Sequence, residues 1–275
     1  MSKTPETENL AVFCDFENIA LGVRDARHAQ FDIRKVLERL LLKGSIVVKK
    51  AYCDWERYKE FKAAMHEAAF ELIEIPHVRQ SGKNSADIRM VVDALDLCYT
   101  KSHVDTFVIV SGDSDFSPLV SKLRENNKIV IGVGVKNSSS DLLISNCDEF
   151  IFYDNLVREK QPRKKVPRKA PRSANRAATP AAKEEKEAEE RTQAALTLVL
   201  ETLEALAEER GSGEKIWGSM VKQTLKRRRP GFNESYYGFR SFNRLLEEAV
   251  SRGLMDLEPD EKSGGYIIRR FHQED

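Results

Sequence analysis

Apolar positions recur along this chain in two different rhythms. Leu10-Ala-Val-Phe-Cys14 is a short continuous apolar run that ends at Asp15, the pattern of a strand buried on both faces. From Asp32 to Leu42 the spacing changes. Ile33, Val36, Leu37, Leu40 and Leu41 fall at i, i+3, i+4, i+7 and i+8, which predicts a helix capped by Asp32 and ended by Gly44. Ser45–Tyr52 is β-rich, Trp55–Phe70 has a helical pattern, and Glu71–Ile75 reads as a strand stopped by Pro76. After a polar loop at His77–Asn84, Ile88, Val91, Val92, Leu95 and Leu97 form the apolar face of another helix. A strand at Thr106–Val110, a helix at Phe116–Glu125, a strand at Lys128–Val133, a short helix near Leu142 and a strand at Phe150–Tyr153 follow. This alternation predicts an α/β fold, an open and mainly parallel sheet flanked by helices on both faces.

The rhythm breaks after residue 157. Nine Lys or Arg, one acidic residue and three prolines occupy 158–176, and an acidic Ala/Glu/Lys stretch follows, so 156–192 is expected to be a flexible linker that cannot pack. Helical spacing resumes over Thr192–Glu209, with Leu196, Val199, Leu200, Leu203 and Leu206 on one face. Ile216–Arg228 and Phe239–Arg252 predict two more helices. Leu254–Leu257 and Tyr266–Arg270, joined through Ser263-Gly264-Gly265, predict a β-hairpin. Three helices followed by a hairpin is a winged-helix pattern. The expected domains are therefore 8–155 and 193–271.

Composition changes this picture in two places. The 45 basic and 44 acidic side chains cancel to +1, yet they are unevenly placed. Residues 1–157 carry 20 basic and 24 acidic groups, 158–192 carry 12 and 6, and 193–275 carry 13 and 14, so a concentrated basic segment separates two mildly acidic blocks. The polar N-terminus has no apolar run of a signal peptide, and the longest clean apolar stretch, Ile129 to Val135, is far too short to cross a bilayer. Cys14, Cys53, Cys98 and Cys147 form no C-x-x-C pair and read as reduced core thiols. These features point to a soluble, cytoplasmic protein without a membrane partner.

Candidate chemistry sits where strands end. Asp15 follows the first strand, in Asp15-Phe16-Glu17-Asn18, and Asp113 and Asp115 follow the strand that ends at Val110, in Ser111-Gly112-Asp113-Ser114-Asp115. In open α/β sheets, ligands bind beyond the carboxyl ends of the strands, where the winding reverses direction. If those two strands are neighbours, three carboxylates converge on one crevice, and Asp87, opening the next helix, reaches the same rim. Gathering four carboxylates costs several kcal/mol of repulsion unless some are protonated or a cation joins them. An all-oxygen set without His or Cys favours Mg²⁺ or Mn²⁺ over zinc. Each Asp taken singly reads as a helix cap or turn residue; only the set points to metal.

Three motifs, Val12-Phe-Cys-Asp15-Phe-Glu-Asn18, Lys83-Asn-Ser-Ala-Asp87 and Val110-Ser-Gly-Asp113-Ser-Asp115-Phe116, closely resemble the NYN family, a branch of the PIN-like nucleases. The resemblance covers roughly residues 8–155. It implies a Rossmann-like sheet and a Mg²⁺- or Mn²⁺-dependent ribonuclease with Asp15, Asp87, Asp113 and Asp115 as the acidic metal site. It also implies Asn18 as a polar partner, with Lys83 and Ser111 beside it toward the substrate. The family often carries one residue fewer between the Lys and the Asp than stands between Lys83 and Asp87.

A second resemblance covers about 193–271. Ile216-Trp-Gly-Ser-Met220, Arg229-Pro-Gly-Phe232 and Tyr237-Gly-Phe-Arg-Ser-Phe242 resemble the OST-HTH module, also called LOTUS, a small winged-helix fold associated with RNA binding and, in some members, with helicase partners. Lys226, Arg227, Arg228 and Arg229 end a predicted helix, where cations suit the dipole and can also meet phosphate. Tyr236, Tyr237, Phe239 and Phe242 read mostly as core aromatics. The expected function is a metal-dependent ribonuclease acting on single-stranded RNA. Two alternatives are a non-catalytic RNA-binding adaptor and a phosphatase of the haloacid-dehalogenase type with Asp15 as nucleophile. The phosphatase needs an Asp two residues on, where Glu17 stands.

Overall fold

The computed structural model describes residues 8–28, 30–75, 85–158, 180–210, 215–260 and 265–271. The chain divides into two compact units, Met1–Lys160 and Gln161–Asp275. The first unit runs β1 (Glu8–Asp15), α1 (Phe16–Asp25), α2 (Ile33–Leu41), β2 (Gly44–Cys53), α3 (Lys59–Glu67) and β3 (Glu71–Glu74). It continues with α4 (Ser85–Thr100), β4 (Thr106–Val110), α5 (Ser117–Glu125), β5 (Ile129–Gly134), α6 (Asp141–Asn146), β6 (Glu149–Phe152) and α7 (Tyr153–Arg158). Its six strands lie in the order β3-β2-β1-β4-β5-β6, and every neighbouring pair is parallel. This is the open parallel sheet that the strand–helix alternation predicts, and the Rossmann-like one that the resemblance implies. The winding reverses between β1 and β4, where Cys14 lies opposite Val110.

β1 shows why the strands read as unbroken apolar runs. Leu10, Val12 and Cys14 enter a core with Phe16, Val36 and Trp55, while Ala11 and Phe13 enter a second core with Met90, Phe107 and Phe116 on the opposite face. Both faces are covered, so successive residues are buried alike. The four cysteines are free and buried, as expected of core thiols. Among the described residues, no helix is long and apolar enough to cross a membrane.

Two features of this unit depart from the sequence reading, and a third expected feature is not described. A helix, α1, follows Asp15 directly and buries Phe16, Ile19 and Val23 on one face. The helix expected over Trp55–Phe70 occupies only Lys59–Glu67, because Trp55 is pinned to β3. Its indole N–H donates to the Ile73 carbonyl at 3.1 Å and its backbone N–H to Glu74 Oε1 at 3.0 Å. The 77–84 loop, with Lys83, lies outside the described residues.

The second unit contains α8 (Pro180–Arg210), β7 (Ile216–Trp217), α9 (Gly218–Arg228), α10 (Phe242–Ser251), β8 (Met255–Pro259) and β9 (Tyr266–Phe271). Three helices and a β8–β9 hairpin appear in the expected order, with β7 added to give a three-stranded sheet β7-β9-β8. The expected linker is corrected at its C-terminal end, since α8 begins at Pro180 rather than Thr192. Proline is tolerated in a first helical turn, and the Ala/Glu/Lys run behind it consists of strong helix formers. Arg252 also pairs with Glu189 at 2.6 Å. The basic part of the linker, 159–179, lies outside the described residues. Ile216 and Trp217 pair with Ile268 and Ile267 instead of starting a helix. The last helix starts at Phe242 rather than Phe239 because Ser241 caps it, accepting from the Arg244 backbone N–H.

Candidate active site where the sheet reverses

Asp15 closes β1 and caps α1. Its Oδ1 accepts the Asn18 backbone N–H at 3.3 Å, and its Oδ2 accepts the Ser111 hydroxyl at 3.0 Å. Only 7% of Asp15 is exposed. Across the crevice the Asp113 backbone N–H donates to Ser111 Oγ at 3.2 Å, and Asp113 Oδ1 accepts the Asp115 N–H at 3.0 Å, capping the short turn Ser114–Phe116. Capping and site formation are thus the same hydrogen bonds here. Asp87 stands in the first turn of α4, half-buried.

Two residues lock the loops together. Asn18 Oδ1 accepts the Gly112 N–H at 2.9 Å, and the Gly112 carbonyl accepts the Ser140 N–H at 2.9 Å. A Cβ on Gly112 would stand 2.4 Å from the Ser138 carbonyl oxygen. The residue after Ser111 must therefore be glycine for close approach. Asn18 acts as a tie between the ends of β1 and β4. Ser111 is fully buried behind the carboxylates, bonded to Asp15 and Asp113, rather than turned toward a substrate.

The electrostatics record the crowding. Burial, then the Asp87 charge, pushes the Asp15 carboxyl up to about 7, with Asp113 adding to the rise and the Asn18 N–H and Ser111 hydroxyl opposing it. Burial, then Asp113, Asp115 and Glu17, pushes Asp87 up to about 6. Glu17 is a fifth carboxylate that the sequence reading weighed only as a phosphatase acid. It faces Arg57 at 3.2 Å on the rim of the crevice. Its place two residues beyond Asp15, in the first turn of α1, was its visible signal. Among the described residues, no three His, Cys, Asp or Glu side chains are drawn together closely enough to hold a metal ion.

The basic cluster of the second unit is looser. Arg227, Arg228 and Arg229 are exposed at the end of α9, and Arg228 reaches the Glu201 carbonyl at 3.2 Å. Lys226 is half-buried; burial raises the Glu234 carboxyl, but the Lys222 ion pair and then the Lys226 charge hold it below its ordinary range. Phe242 is buried, Tyr237 and Phe239 pack on the same core, and Tyr237 stacks on Phe232 with centroids 5.3 Å apart.

Residues 9–154, more than half of the chain, match the NYN domain. The chain belongs to that family of PIN-like nucleases. The meiosis regulator and mRNA stability factor 1 of Xenopus tropicalis is 27% identical over 154 residues, which are 56% of this chain and 9% of that protein. An uncharacterized protein of Methanocaldococcus jannaschii is 30% identical over 137 residues, 49% of this chain and 54% of that one. The chain spans less than a tenth of the first relative's length and about half of the second's. The crystal structure of a Vibrio parahaemolyticus protein of unknown function superposes with a TM-score of 0.50 at 26% identity, covering 56% of this chain and 98% of that one. These relatives match about half of the chain.

Proposed function

We propose that this chain is a metal-dependent ribonuclease, an endonuclease on single-stranded RNA, whose second unit is an OST-HTH-type RNA-binding module. The observation that carries the reading is the electrostatic crowding of Asp15, Asp87, Asp113 and Asp115 at the strand ends where the sheet reverses direction, which raises the Asp15 and Asp87 carboxyls. The name of the Xenopus relative, which ties that protein to mRNA stability, supports RNA as the substrate.

The donor chemistry fits a hard cation, four carboxylates without His or Cys, and a buried Asp15 that ionises only near neutrality calls for a neutralising charge. Asp15, Asp87 and Asp113 would hold Mg²⁺ or Mn²⁺, with Asp115 at the rim. Such an ion, when bound, offsets charge on the phosphate and makes its water a stronger nucleophile. Ser111 aims the Asp15 carboxylate, and Asn18 keeps the two strand ends in register. The phosphatase reading is the weaker, because it needs an Asp where the longer Glu17 stands, and Glu17 pairs with Arg57.

One observation favours a second reading, the RNA-binding adaptor: the carboxylates do not converge to ligating distance as they stand. Circular single-stranded RNA incubated with the full chain separates the two. Linearisation with Mn²⁺ and none with chelator is expected of the nuclease, whereas binding without cleavage under any divalent ion establishes the adaptor. Residues 1–157 should keep the cleavage and lose RNA affinity, since the proposed ligands lie there and the basic segment does not. The second unit is also the place for a protein partner.

A further inference from the structure

A groove of about 710 Å³ runs from the carboxylate crevice between α4 and the α5–α6 pair. Asp87 and Asp115 stand at its crevice end, and they are the only charged lining residues among the described ones. Its walls are aliphatic, Ile88 and Val92 from α4 against Pro118 and Leu142, with neutral hydrogen-bonding groups on Ser117 and Asn146.

Two observations set the groove apart from ordinary surface. Ile88, Val92 and Leu142 are 62%, 56% and 56% exposed, and the first two are one helical turn apart, so a continuous aliphatic wall is left open to water. Ser117, in contrast, is only 5% exposed, and its hydroxyl has no hydrogen-bond partner. A buried hydroxyl left unpaired is costly, and such groups in folded proteins call for a specific explanation.

We infer that the groove receives one unpaired nucleobase of the RNA strand whose phosphate lies at the carboxylates, an inference that rests on the ribonuclease reading. Charge selects the occupant. Among the described lining residues a phosphate entering the groove meets only the carboxylates of Asp87 and Asp115, whereas a base is neutral, flat and largely apolar on its faces. Ile88 and Val92 cover one face and Pro118 and Leu142 the other, and the Ser117 hydroxyl and Asn146 carboxamide meet the polar edge. The volume lies within the roughly 300–1,000 Å³ of small-ligand sites. The base must leave its stack to enter, so the site discriminates against duplex.

The test uses the full chain and a set of oligoribonucleotides, each abasic at one position beside the cleaved bond. One abasic position should raise KM about tenfold, the scale of a lost base contact. The double variant Ile88→Ser with Leu142→Ser, both at exposed positions, should raise KM on intact RNA by a similar factor and no longer respond to that abasic position. Its kcat should stay near wild type. An oligoribonucleotide carrying 4-thiouridine, crosslinked in chelator so that no cleavage intervenes, should attach to α4 or α6 residues of the groove. Cleavage that ignores every abasic position, or crosslinks confined to the second unit, overturns the base site and leaves the groove to a helix of a protein partner. Groove crosslinks with no cleavage under any divalent ion keep the base site and overturn the ribonuclease reading.

Discussion

The carboxylates of the first unit and the guanidinium groups of the second are both clustered charge, but the fold treats them oppositely. Asp15 is buried, and the Ser111 hydroxyl and Asn18 N–H fix both of its oxygens. Arg227, Arg228 and Arg229 are exposed at a helix end, where side chains move and counterions screen them. A buried acid is set by geometry, so changing one atom matters. An exposed base is set by number, so removing one of several costs little. The contrast supports the proposal that the first cluster does chemistry and the second attracts the strand.

The comparison breaks most visibly on pH. The Asp15 carboxyl titrates at about 7 in the fold against 3.8 for the free side chain, so the folded state holds its proton more tightly than the unfolded state. Below about pH 4 both states are protonated and Asp15 costs nothing; between 4 and 7 the cost grows, and above 7 it is constant. Asp15→Asn should therefore gain stability relative to wild type as pH rises from 4 to 8, by on the order of 3–4 kcal/mol in denaturant melts. A difference independent of pH would mean that Asp15 is not the crowded acid described here.

Gly112→Ala comes next. Its Cβ would meet the Ser138 carbonyl at 2.4 Å, and overpacking of this kind costs roughly 1–3 kcal/mol. The melting temperature should fall and cleavage with it, because Ser111 and Asp113 flank the displaced backbone. Asp113→Asn, by contrast, should fold normally and cut at least about tenfold more slowly, a loss of roughly 1.4 kcal/mol of transition-state stabilisation. Single-turnover cleavage at saturating Mn²⁺ gives that ratio.

The smallest effect belongs to the basic segment. If about four of the nine basic residues in 158–176 meet phosphate at once, deleting that segment should flatten the slope of log affinity against log salt by about 3, at roughly 0.7 per phosphate on single strands. Identical slopes would leave the segment as a spacer.

The sequence disclosed the first cluster better than the second, for a physical reason. Strands buried on both faces are unbroken apolar runs, so their ends at Asp15 and Val110 are sharp, and the acids there stand out. That β1 and β4 are neighbours could only be supposed, since register between distant strands leaves no local mark. The helix after Asp15 leaves a weak mark, because its ten residues hold only Phe16, Ile19 and Val23 as large buried positions, and Gly22 interrupts the pattern. Asn18 and Ser111 were found as motif members, yet their work as ties depends on partners 94 and 96 residues away. The groove was invisible as well: Ile88 and Val92 share the helical rhythm of core residues, and only the fold leaves them uncovered.

The central claim is that the crevice carboxylates hold a divalent cation. Calorimetric titration of Mn²⁺ into the full chain at pH 6.5, in two buffers of different ionisation heat, tests it most directly. Asp15 and Asp87 titrate at about 7 and about 6, so binding must expel protons, and the observed heat should change with the buffer. In the folded double variant Asp15→Asn with Asp113→Asn, both the binding and the buffer dependence should vanish. Undiminished Mn²⁺ binding by that variant, or none by the wild type, would contradict the account.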